Sequence, residues 1–329
     1  MCATSQAPTT PDTAANEVIT IGEPLGLLLA DDGVPLRHAR RFRRQVAGAE
    51  LNVAVGLARL GHRCAFIGRV GDDPFGEDVL ATLRTEGVEA AVNVDPSRPT
   101  GLLIRDFHGE RRLRVLYHRY GSAGSQLARG DMNSAWLDRA RLLHVTGITP
   151  ALSTSAHSAV LSAVEAAEQR GVPISFDVNF RERLWNAQTA APVLGALAAR
   201  ATIVLASEQE ALWLSGCEDC DAAAAWFLER GAGIVAIKRG ADGALVSDGR
   251  MSATVPALAV RSPVDPVGAG DAFDAGFLSG WLRAEELEVC ARHGAAAGAS
   301  CVLAAGDLDG LPTRDELDAL LVGAPDVDR

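Results

Sequence analysis

Leu142–Thr146 (LLHVT), Thr154–Gln169 (TSAHSAVLSAVEAAEQ) and Pro173–Asp177 (PISFD) follow one another in mid-chain, and their reading decides the fold. The outer two are short and apolar, as strands buried on both faces are. The segment between them repeats its apolar residues with helical periodicity. Strand, helix and strand of this kind make a parallel pair joined by a crossover helix. Working outward, similar apolar runs recur at Val18–Gly22, Cys64–Gly68, Ile203–Ala206 and Ile234–Lys238. Helical periodicity marks Leu51–Leu60, Phe75–Glu86, Ala191–Ala199 and Ala222–Glu229. The pattern predicts an α/β fold with a mostly parallel central sheet and helices on both faces.

After Lys238 the pattern changes. Gly240–Gly243 reads as a turn, Ala244–Val246 and Ser252–Val255 as short antiparallel strands, and Asp271–Leu282 and Leu287–Leu303 as long helices. Two stretches break the alternation. Leu25–Val46 and Thr100–Tyr120 are richer in Arg and alternate with period two, as in Leu113-Arg114-Val115-Leu116-Tyr117. They predict solvent-facing antiparallel strands, a small β lid inserted at about 25–46 and 100–120 of one domain spanning 17–329. Residues 1–16 (MCATSQAPTTPDTAAN) have no apolar core and no basic start, so they read as a disordered tail and not as a signal peptide.

The 329 residues are 48% hydrophobic and 22% charged, the balance of a globular protein large enough to bury its own core. A net charge of -11 argues against a duplex nucleic-acid surface. No apolar run reaches the ~18 residues that span a bilayer. Six scattered cysteines fit a reduced, cytoplasmic protein. Cys217 and Cys220 form the one close pair, and no second pair or His ligands accompany them as a zinc site requires.

The chemistry centres on Asp265-Pro266-Val267-Gly268-Ala269-Gly270-Asp271-Ala272-Phe273. Gly268, Ala269 and Gly270 precede a helix, where bare backbone amides form an anion hole for a phosphoryl group. An aspartate there opposes simple phosphate binding, but suits a base that takes a proton from the attacking hydroxyl. The plainer reading is a glycine turn capped by Asp. Other phosphate motifs fail: Gly71–Gly76 is followed by Glu77, which excludes a P-loop, and Phe273 stands where a dinucleotide fingerprint needs its third glycine.

This segment resembles the second signature of the ribokinase-like (PfkB) carbohydrate kinases, in which the aspartate is the catalytic base. The first signature is similar too: Gly48-Ala49-Glu50-Leu51-Asn52-Val53-Ala54, then Leu57-Ala58-Arg59-Leu60-Gly61, with Ile67–Gly76 following. The likeness runs from Val18 to about Leu320. Within the family it is nearest to the 2-keto-3-deoxygluconate kinases, through Asp177–Trp185 (DVNFRERLW), Tyr117-His118-Arg119 with Gly121-Ser122-Ala123, and Leu311-Pro312-Thr313-Arg314.

The resemblance implies ATP and Mg²⁺, with a monovalent cation such as K⁺ as a further candidate. It implies sugar contacts at Gly48, Asn52, Tyr117, Arg119, Ile148, Arg181 and Asp307. Nucleotide contacts fall at Asn179, Arg181, Lys238, Gly240, Gly243, Gly268 and Gly270, and Glu210 orders Mg²⁺ through water. A sugar acid needs a cation, which Arg119 and Arg181 supply, and Arg suits a bidentate grip on a carboxylate. The chain departs from the family pattern at Leu103, where a Tyr is common, at Ser207, where an Asn is common, and at His293–Ala296, which lacks an Asn. The expected activity is ATP-dependent phosphorylation of a sugar acid by a homodimer sharing its lids. A fructokinase- or ribokinase-type kinase for a neutral sugar, and a non-catalytic sensor, are the alternatives.

Overall fold

The computed structural model describes residues 16–31, 34–106 and 114–322. Residues 1–15 of the expected tail lie outside them. Asn16, also assigned to the tail, is instead buried and donates its side-chain amide to Glu89.

In chain order the strands are β1 (Val18–Ile21), β2 (Leu25–Ala30), β3 (Phe42–Ala47), β4 (Cys64–Gly71), β5 (Glu89–Asp95), β6 (Gly101–Arg105), β7 (Val115–His118), β8 (Leu142–Thr146), β9 (Ile174–Asp177), β10 (Ile203–Ser207), β11 (Ile234–Lys238), β12 (Ala244–Ser247) and β13 (Ser252–Val255). The helices are α1 (Ala49–Arg59), α2 (Pro74–Thr85), α3 (Thr154–Arg170), α4 (Ala187–Ala198), α5 (Glu208–Ser215), α6 (Cys220–Glu229), α7 (Ala269–Leu282), α8 (Leu287–Cys301) and α9 (Arg314–Val322).

The central sheet runs β13-β12-β11-β10-β9-β8-β1-β4-β5, parallel except for the antiparallel pairs made by β12 and β13. One face packs on α1, α2, α7, α8 and α9, with Phe66, Leu205, Val246 and Phe277 among its fully buried side chains. The other packs on α3, α4, α5 and α6, around Ile21, Val145, Phe176 and Phe227. The chain leaves β1 toward β4 and β5, then returns to the other side of β1 through β8. In open α/β sheets such a reversal opens a crevice beyond the carboxyl ends of the strands.

The lid is a four-stranded sheet ordered β3-β2-β6-β7. Its two hairpin-like pairs, β2–β3 and β6–β7, are antiparallel as expected, and a parallel pairing of Leu25–Leu29 with Gly101–Arg105 joins them. Solvent-facing describes only its outer strands, where Phe42 and Leu116 are exposed. The inner strands are buried, because Leu25, Leu27, Leu29, Ala47 and Leu103 form a small core of their own. Three elements were not foreseen. β5 is a half-buried edge strand with a weak apolar pattern, and α5 and α9 are short helices of two to three turns.

Candidate active site

The crevice is a cleft of about 1030 Å³ between the carboxyl ends of the central strands and the lid. That is the upper end of the range for small-molecule sites, and gives room for two substrates. Every residue singled out from the sequence lines it: Gly48, Asn52, Tyr117, Arg119, Ile148, Asn179, Arg181, Glu210, Lys238, Gly240, Gly243, Gly268, Ala269, Gly270, Asp271 and Asp307. They come from the ends of β8, β9, β10 and β11, the starts of α1, α5 and α7, the loop after α8 and the lid, so only folding brings them together.

Gly268 opens α7 with φ +85°, and a Cβ there would come within 3.1 Å of the Asp307 carbonyl oxygen. Only glycine holds that conformation without strain. The turn places the first-turn amides of Gly270 and Asp271 at the cleft, and among the described residues no protein acceptor takes either. These amides and the helix dipole make the spot favourable for an anion. Asp271, half-buried beside them, accepts a hydrogen bond from Asn52 Nδ2 at 2.7 Å. Burial pushes its carboxyl up to about 7 and the charge of Asp177 adds to this, while Asn52, Lys238 and Arg181 pull it back. A carboxylate with its proton affinity near neutrality is suited to general-base work.

Across the cleft, after β11, Gly243 has φ +85°, and a Cβ would sit 1.9 Å from the Val255 carbonyl oxygen. The backbone here is therefore bare, as the sequence suggested. The Lys238 side chain is committed elsewhere. Its Nζ lies 3.0 Å from both Asp177 Oδ2 and Asp274 Oδ1 in a buried cluster, and the two carboxylates hold its pKa above the usual range against the opposing effect of burial. The resemblance put Lys238 in the nucleotide loop, and its ammonium, although held by two carboxylates, lies close enough to the turn that a Cβ at Gly270 would come within 3.7 Å of it. Its backbone still borders the cleft.

Glu210 is also engaged. Oε1 accepts from the Phe180 amide at 2.8 Å and Oε2 from the Ser207 amide at 2.9 Å, while Ser207 Oγ accepts from the Glu210 amide. This reciprocal cap starts α5, and Ser207 serves it where the family pattern has Asn. Each carboxylate oxygen keeps a second lone pair, so a hydrated Mg²⁺ remains compatible with it. Among the described residues no group of three or more His, Cys, Asp or Glu side chains is placed to hold a metal.

Arg119 is 9% exposed and its guanidinium is paired with Glu23, itself buried and bonded by Ser122 Oγ. The charge expected to be open to a ligand is thus largely matched inside the protein. Arg181 is exposed and bonds only to the neighbouring Phe180 carbonyl, with no carboxylate partner among the described residues. The sequence reading missed Arg105, Glu23, Glu50 and Asp274 as site residues. Glu50 is buried at the start of α1, where its Oε1 accepts from the Thr146 and Thr149 hydroxyls. Asp274 lies one turn beyond Asp271, a spacing that puts both on one helix face.

The pfkB family carbohydrate kinase pattern matches residues 16–314. The 2-dehydro-3-deoxygluconokinase of Bacillus subtilis is 36% identical over 308 residues, which cover 93% of this chain and 95% of that protein. The crystal structure of 2-dehydro-3-deoxygluconokinase from Thermotoga maritima superposes with a TM-score of 0.85 at 26% identity, over 94% of this chain and 99% of that one. A structure from E. coli described as a ribokinase II, in complex with ATP and Mg²⁺, gives a TM-score of 0.87 at 27% identity, over 94% and 99% of the two chains. A family match over nearly the whole chain, with a relative 36% identical over 93% of it, makes this chain a member of the pfkB family of carbohydrate kinases.

Proposed function

We propose that this kinase transfers the γ-phosphoryl group of ATP to a primary hydroxyl of a sugar acid, most closely 2-keto-3-deoxygluconate. The observation that carries the reading is the Asn52–Asp271 pair set against the unbonded amides at the start of α7, inside a cleft large enough for both substrates. Asn52 orients the Asp271 carboxylate, which takes the proton of the attacking hydroxyl. The Gly268–Asp271 backbone stabilises the charge that develops on the transferring phosphoryl. Gly240 and Gly243 leave bare backbone for the nucleotide, and Asn179 and Arg181 border it. When bound with ATP, Mg²⁺ supplies charge neutralisation at the phosphates, and Glu210 is the residue placed to order its water shell. A monovalent cation is a further candidate on the same ground of family likeness.

Gly48, Tyr117, Ile148 and Asp307 line the cleft, and we assign them to the sugar on the family likeness. The acid's carboxylate meets Arg181 and the remaining donors of Arg119. The pairing of Arg119 with Glu23 favours the second reading, a neutral sugar of fructose or ribose type, because it leaves less free positive charge at that end. We place the enzyme with its ATP supply in the cytoplasm, as a dimer through the exposed lid strands that carry Phe42 and Leu116. Among the described residues no helix is long and apolar enough to cross a membrane. A coupled ADP-release assay across ketodeoxy acids, aldonic acids, fructose and ribose tests the reading. Highest kcat/KM on a ketodeoxy acid supports it, preference for fructose or ribose transfers the assignment to the neutral sugar, and no turnover on the panel overturns both.

A further inference from the structure

Arg105 is the largest fully buried side chain among the described residues, yet it belongs to lid strand β6 and borders the cleft. Its Nη1 lies 2.6 Å from Asp265 Oδ2 and its Nη2 lies 2.8 Å from Asp307 Oδ1. Both carboxylates belong to the large domain and both flank the anion-hole turn. Asp265 Oδ1 accepts from the Val267 amide at 3.2 Å, one residue before Gly268, and Asp265 Oδ2 also accepts from the Gly306 amide. Asp307 lies within reach of Asn52, whose Nδ2 holds Asp271. Charge-assisted bonds therefore run from the lid to the turn through Asp265, while Asp307 brings the Arg105 guanidinium up to Asn52, which holds the base. Burying an arginine this completely is costly unless it is paired, and here both Nη groups are, while Nε has no hydrogen-bond partner among the described residues.

We propose that Arg105 is a positioning residue that couples the seating of the lid to the geometry of the Pro266–Gly270 turn and to the charge state of Asp271. With the lid seated, the guanidinium neutralises two carboxylates that otherwise face the base region. With the lid displaced, Asp265 loses its cation, the turn loses one of its anchors, and the site is not assembled for transfer. Phosphoryl transfer is thereby tied to a closed lid, which also limits transfer to water. The charged groups acting on Asp271 are Asp177 from β9, Lys238 from β11 and Arg181 from the loop after β9, and Asp274 of its own helix shares Lys238 and Asp177 with it. Asp265, Asp307 and Arg105 lie beyond Asn52 and Cys301. Removing the Arg105 charge leaves the negative members of this set in excess, which raises the proton affinity of the base.

The inference rests on Asp271 as base, and the test separates the two. In Arg105→Met, kcat should fall at least tenfold with sugar KM changed less than threefold, and the acid limb of the kcat/KM pH profile should move to higher pH. In Arg105→Lys, which keeps the charge but not the two-pronged grip, the limb should return to its wild-type position while kcat stays at least threefold low. A folded Met variant with kcat within twofold of wild type, or with an unmoved limb, overturns the proposal. If the Met variant does not fold, the Lys variant decides alone: kcat within twofold of wild type overturns it. Full activity in Asp271→Asn instead overturns the base assignment, whatever the Arg105 variants do.

Discussion

Two buried clusters in this kinase each hold one cation between two aspartates, and they differ in what they join. Lys238 sits between Asp177 and Asp274, so it ties β9 and β11 to α7 within the large domain. Arg105 sits between Asp265 and Asp307, so it ties the lid to the large domain. The first cluster forms as soon as the central sheet and α7 pack. The second exists only when the lid is in place. Similar local chemistry therefore serves stability in one region and assembly of the site in the other.

The reference point for both clusters is Asp271, which lies between them. Asp271→Asn keeps the shape and the bond to Asn52 but removes the proton acceptor, so kcat should fall by ~10²–10⁴ with sugar binding retained. More than half of wild-type kcat in steady-state assays would show that another group is the base. In the wild type, kcat/KM should rise with pH through about 7, where the free enzyme's Asp271 ionises. Because burial raises this carboxyl above its unfolded value, the folded state is penalised as pH climbs from about 4 past 7. Asp271→Asn should therefore melt higher than wild type at pH 8, and a lower Tm would contradict that sign.

Lys238→Met separates the clusters most directly. It strands two buried carboxylates inside the large domain, a loss of about 3–5 kcal/mol in denaturant unfolding. A cost under about 1 kcal/mol would mean that the cluster is already neutralised by shared protons, given that burial and the charge of Asp177 push Asp274 upward.

Arg119→Ala probes the sugar end with a smaller effect. The ratio of kcat/KM for a ketodeoxy acid to that for a neutral sugar should fall ~10-fold if the Arg119 donors reach the carboxylate. An unchanged ratio leaves that role to Arg181 and assigns Arg119 to holding Glu23. The smallest expectation is at Cys217 and Cys220, where Ser at both positions should leave activity and metal content unaltered. Stoichiometric zinc lost in the double variant would reverse it.

The central sheet was legible because its strands are apolar on both faces and its helices show their period. Ile234–Lys238 and Leu142–Thr146 begin and end in the structure where the sequence places them. The lid was legible as an interruption but not in its burial. Period-two alternation with Arg reads as a wet face, and Arg105 is wet only until two aspartates from distant turns enclose it. β5, at the sheet edge, has too few apolar positions to stand out against a loop.

By itself the sequence determined the local devices of the cleft, the glycine turn before α7 and the Gly48–Ala54 helix start, because they fold by local rules, while the resemblance to the family supplied the wider set of site residues. Their partners were decided only by tertiary structure. Arg119 and Glu210 looked like free ligands in one dimension and Lys238 like part of a nucleotide loop, and each is bonded to a carboxylate or amide that can be far along the chain. An ion pair's energy depends on distance and burial, not on sequence separation, so Arg105 finds Asp265 and Asp307 only once the lid and the large domain meet.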